Sequence, residues 1–88
     1  MRITRLRIDG QEFHLPPELD VPDLQRRIVD AIAGRPTFVT FQPVGHGEIA
    51  VLVTANIPVR FETEEISDEQ YEQWIDEPPS IDVFPQIG

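Results

Sequence analysis

Few side chains in this chain have the chemistry of catalysis, and their spacing assembles no recognisable site. Nucleophilic catalysis joins a serine, threonine or cysteine to a base that a third group holds. The chain has no cysteine, and its serines are Ser67 and Ser80. Ser67 precedes Gln70 by three positions at the start of a helical pattern, where a hydroxyl caps backbone amides. The two histidines are His14 and His46. Two imidazoles fall short of the three or four ligands that zinc takes. His14 is expected on the charged face of a strand, as a surface residue. His46, in Gly45-His46-Gly47, reads as the tip of a loop. The adjacent acids Glu64-Glu65 and Asp68-Glu69 are the nearest thing to a general acid and base. No neighbour in sequence separates their pKa values, so they read as a solvated face. Calcium-loop and phosphate-loop spacings are missing. The expectation is a non-enzyme with no catalytic residue, no cofactor and no metal.

Charge patterning is more informative. Seven arginines and no lysine stand against sixteen acids, for a net charge of −9 in 88 residues. The missing lysine reads as codon bias. Residues 1–60 carry all seven arginines and seven acids, and so sum to zero. Residues 61–88 carry the other nine acids and no base. Such a field repels nucleic-acid phosphates and membrane surfaces and attracts basic partners.

The elements that must carry these charges follow from periodicity. Thr4, Leu6 and Ile8 alternate with Arg5 and Arg7, the period of a strand. Asp9-Gly10 is a two-residue hairpin turn whose register sets Leu6 opposite Phe13 and Arg7 opposite Glu12. A helix begins at Asp20 as N-cap, with Pro22 in its first turn and Leu24, Ile28 and Ile32 as its apolar stripe. Gly34 is expected to close it at C′, with Pro36 barring continuation. Three strands are expected next: one over 37–42, an apolar central strand over 49–54 covered on both faces, and one containing Val59 and Phe61. A second helix is expected over 68–76, capped by Ser67 and stopped by Pro78-Pro79. Tyr71, Trp74 and Ile75 share one of its faces.

Hairpin, helix and further strands over residues 1–63 resemble the β-grasp, the ubiquitin-like superfold. The resemblance implies an α+β class, with a small ββαβββ sheet and one packed helix. Residues 64–88 then add a short acidic C-terminal helix and an extended tail, packed on the same domain. Ubiquitin-like modifiers and sulfur carriers end in Gly-Gly. Ile87-Gly88 departs from that pattern and speaks against carrier chemistry.

Arg5, Arg7 and Arg60 on one side of a sheet are too few among so many acids for direct nucleic-acid binding. No apolar run reaches the roughly 18–20 residues that span a bilayer, so no membrane association is expected and the compartment is expected to be cytoplasmic. The last third mixes acids with Tyr71, Trp74, Ile75, Ile81, Val83 and Phe84. In one reading the second helix turns its aromatic face inward to complete the core. In another it is an acidic-aromatic docking segment for a basic protein. The candidate partner-binding residues are Glu64, Glu65, Asp68, Glu69, Glu72, Trp74, Asp76 and Phe84. The expected function is a small protein-binding module of accessory, inhibitor or immunity type. The alternative is a nucleic-acid mimic that fills a DNA-binding groove with spaced carboxylates.

Overall fold

A computed structural model describes residues 1–78; the expected extended tail, including Phe84, lies outside the described residues. The elements run β1 (Arg2–Ile8), β2 (Gln11–Leu15), α1 (Val21–Ala33), β3 (Thr37–Phe41), β4 (Ile49–Val53), β5 (Val59–Glu65) and α2 (Asp68–Asp76). This is a small α+β fold of two helices and five strands, all pairing antiparallel.

The hairpin forms in the register that its turn demands. Leu6 faces Phe13 and Arg7 faces Glu12. Asp9 and Gly10 take φ of 51° and 83°, the left-handed pair of a type I′ turn. Alternation then puts Leu6, Ile8, Phe13 and Leu15 on the inner face, all buried. On α1, Asp20 caps by accepting from the Asp23 amide at 3.0 Å, and Leu24, Ile28 and Ala31 are buried. Gly34 ends the helix without left-handed geometry, at φ −106°, and its amide donates to the Asp30 carbonyl. The expected C′ role is thereby corrected.

The strands form two sheets where one is expected: a three-stranded sheet in the order β2-β1-β5 and a two-stranded ribbon of β3 and β4. The long apolar run of β4 does not make it a central strand. Its burial alternates, and Leu52 is 43% exposed beside Phe38 at 65%. A ribbon has one inner face, so only Ile49, Val51 and Val53 of β4 turn toward the core. Val39, Phe41 and Val53 join the hairpin's inner face and α1 in one cluster. Phe13 and Phe41 meet edge to face across the two sheets, with centroids 5.1 Å apart, the geometry that aromatic quadrupoles favour. Each such buried aliphatic or aromatic side chain contributes about 1.5–3 kcal/mol.

Candidate partner-binding site

The outer face of the three-stranded sheet carries the charge. Arg5 sits between β2 and β5, opposite His14 on one side and Glu62 on the other. Its guanidinium donates to Glu12 at 3.1 Å and Glu64 at 3.2 Å, with Glu62 at 3.9 Å. Arg7 donates to the second oxygen of Glu12 at 2.9 Å. The hydrogen bond from Arg7, joined by those from Arg5, holds the Glu12 carboxyl below the usual carboxylate range, against the opposing effect of burial. Arg60 donates to Glu62. On α1, Arg26 and Arg27 both hold Asp23. With Arg2 beside Glu65, six of the seven arginines pair with carboxylates of the sheet and of α1.

This arrangement divides the residues singled out from sequence. Glu64 and Glu65 belong to β5, which runs to Glu65 across the expected boundary at residue 63. Glu64 is bonded to Arg5 through one of its oxygens. Glu65 is exposed and lies 3.7 Å from Arg2. Asp68, Glu69, Glu72 and Asp76 are brought together on α2, and all are exposed. Among the described residues, Glu69, Glu72, Asp76 and Glu77 form no ion pair, and Asp68 meets only the chain's amino group, at 3.9 Å. Trp74 is part-buried. Its indole lies on His14, with ring centroids 4.4 Å apart.

That contact corrects the reading of His14 as a plain surface residue. The imidazole is half-buried, and burial lowers its pKa below the ordinary 6.5, partly opposed by Glu12. Ile3 is also buried on this outer face of β1, apart from the main core cluster. Through Trp74 on His14, α2 lies against the outer face of the sheet. It does not complete the main core, and none of its own residues is fully buried. The segment joining β3 to β4 meets α2 from the side. Val44 is buried and its amide donates to the His14 carbonyl at 2.8 Å. At Gly45, φ is +74°, and a Cβ there would stand 2.6 Å from Pro78 Cγ and 3.0 Å from the Trp74 carbonyl oxygen.

Beside α2 lies a groove of about 330 Å³, lined by Pro16, Glu18, Leu19, Pro43, Tyr71 and Ile75 among others. Ile75 is 52% exposed. Burial raises the pKa of the Tyr71 hydroxyl, and the nearby Glu18 carboxylate adds to the shift. Sequence reasoning placed Tyr71 and Ile75 on one helix face but missed Glu18, Leu19 and Pro43, which reach the site from two separate loops. The left-handed Gly45 in Pro43-Val44-Gly45 was the available sign that a backbone approaches closely there.

Among the described residues, no group of three or more histidine or acidic side chains could hold a metal ion. No helix among them is long and apolar enough to cross a membrane. The described residues form a small α+β fold of five strands in two antiparallel sheets and two helices, with a groove beside α2. Comparison of the chain with protein-family models, curated proteins and solved structures finds no match.

Proposed function

We propose that this chain is a small non-enzymatic protein-binding module, of accessory, inhibitor or immunity type, that engages a basic partner through α2 and the groove beside it. One observation carries the reading: among the described residues Glu69, Glu72 and Asp76 of α2 form no ion pair and Asp68 meets only the amino terminus, while six of the seven arginines pair with carboxylates of the sheet and α1. Helix stability does not account for the α2 acids. Asp68 and Glu69 suit the positive end of the helix, but Asp76 and Glu77 stand at its negative end, where no basic residue compensates. Each carboxylate there costs about 0.3–1 kcal/mol at low ionic strength. The groove adds apolar area to the charge, so an arginine or lysine can lay its methylenes against Tyr71 and Ile75 with its head near Glu18.

The nucleic-acid mimic is less well supported, because Arg5 and Arg7 neutralise the sheet's carboxylates and leave one nine-residue helix to imitate a backbone. The β-grasp relationship rests on element order, and the separate β3–β4 ribbon departs from a single sheet.

The test is titration of the full chain with a short synthetic peptide alternating arginine and leucine, followed by NMR. Saturable shifts should centre on Tyr71, Ile75 and Glu18. Neutralising Glu69→Gln, Glu72→Gln and Asp76→Asn together should weaken binding, as should added salt. Shifts spread evenly over all exposed acids, Asp9 and Glu48 included, with no loss on neutralisation, would show a solubilising surface instead.

A further inference from the structure

The β3–β4 ribbon has an open edge. Thr40 and Phe38 occupy alternate positions of β3, paired in register with Ala50 and Leu52. In an antiparallel ladder, both backbone groups of such a residue point either to the partner strand or away from it. The Thr40 carbonyl points away, because it accepts a hydrogen bond at 2.8 Å from Arg27 on α1. Phe38, two residues earlier, therefore also turns its N–H and C=O outward. Among the described residues, no backbone hydrogen bond from outside the ribbon meets them. Beside this edge runs a second groove, of about 350 Å³, between β3 and the C-terminal half of α1. Arg27, Ala31, Arg35 and Phe38 are among the residues lining it, and it shares no residue with the groove at α2.

Arg35 is the exception in the chain's ion pairing. It is exposed, and among the described residues its guanidinium makes no ion pair or hydrogen bond. The acid nearest it in the groove, Asp30, is already bonded to Arg26. An unpaired cation, an apolar lining and unsatisfied strand amides thus converge along one edge.

We infer that this edge takes an extended peptide by strand addition, the peptide carrying a carboxylate that pairs with Arg35. Main-chain bonds to Phe38 supply the binding, and the helix beside the edge supplies the wall against which alternate side chains pack. Charge selects the occupant. A second copy adding its own β3 would bring Thr37-Phe38-Val39-Thr40-Phe41, which has no carboxylate to offer. Arg27 bounds the site at Thr40, so the added strand is short and its affinity modest.

The probe is an acetylated, amidated peptide alternating valine and threonine with one central aspartate, and the same peptide with asparagine in its place. Titrated into the full chain, the aspartate peptide should shift the Thr37, Phe38 and Thr40 amides and slow exchange at Phe38. It should bind about two- to fivefold more tightly than the asparagine peptide, the range for a partly exposed ion pair. Arg35→Gln should erase that preference while leaving the melting curve in place. Phe38→Pro, which removes an outward N–H and no ribbon bond, should abolish binding of both peptides. Should that variant misfold, slowed exchange at Phe38 in the unaltered chain carries the same information. Shifts confined to other surfaces, or an aspartate preference that survives Arg35→Gln, would overturn the proposal. So would concentration-dependent shifts of β3 without peptide, which would give the edge to a second copy.

Discussion

Gly45→Ala puts a methyl group where the β3–β4 connection meets the end of α2. Two costs arise. Left-handed backbone, here φ +74°, costs an alanine about 1–2 kcal/mol relative to the right-handed region. The new Cβ would also stand 2.6 and 2.8 Å from Pro78 carbons and 3.0 Å from a backbone oxygen, well inside the usual 3.5–4.0 Å for carbon contacts. Overpacking of this kind costs about 1–3 kcal/mol. Pro78 is exposed and can swing outward, so the overlap cannot cost more than the docking of α2 is worth. The floor is therefore about 1–2 kcal/mol, which lowers a urea midpoint by roughly 1 M for a domain of this size. Gly47→Ala is the control, because a Cβ there meets nothing within 4 Å and should stay within about 0.5 kcal/mol. Trp74 is the sole tryptophan, so its emission reports the docking of α2 directly and should redden in Gly45→Ala before global unfolding. Equal midpoints for the two variants would refute the close approach. A lowered midpoint with unchanged native emission would keep the backbone strain but refute the docking.

Two further outcomes follow from the outer face and the hairpin. Gly10→Val forces a β-branched residue to φ 83° and should lower stability by more than 1 kcal/mol, on the order of the left-handed penalty, with an unchanged urea midpoint counting against the I′ turn. Because burial under Trp74 depresses the His14 pKa, the unfolded chain takes up a proton that the folded chain refuses. Stability should thus be full above pH 6.5 and fall as the pH drops from there through the folded-state value. His14→Gln should flatten that window in melts, while leaving the loss at lower pH that comes from Glu12.

Local chemistry was legible wherever one short segment decided it. Asp9-Gly10 set the hairpin register, and Asp20 and Ser67 set the two helix starts. What the sequence concealed depended on contacts between distant segments. The apolar run 49–53 is equally compatible with a central strand and with a ribbon, and among the described residues β4 pairs with β3 alone. His14 looked exposed because nothing in strand alternation reveals that a helix sixty positions later settles on the outer face. Ile3 was the overlooked sign, an isoleucine in the row of Arg5 and Arg7, which an open charged face has no reason to contain.

The missing lysines take on structural meaning at the same place. Arg5 reaches Glu12 with one terminal nitrogen and Glu64 with the other, and Arg27 holds Asp23 and the Thr40 carbonyl from two different nitrogens. A lysine ammonium presents one compact head and does not span such pairs, whereas a planar guanidinium does. The geometry is a reason for arginine and not lysine at these positions. Because the guanidinium groups of Arg5, Arg26 and Arg27 each bind more than one group, few arginines hold many of the acids of the sheet and α1. Among the described residues, Glu69, Glu72 and Asp76 of α2 and Arg35 are unpaired charges of opposite sign, with a groove beside each element that carries them. A domain so arranged has two chemically opposite surfaces, and neutralising the α2 acids should leave the Arg35 edge unaffected.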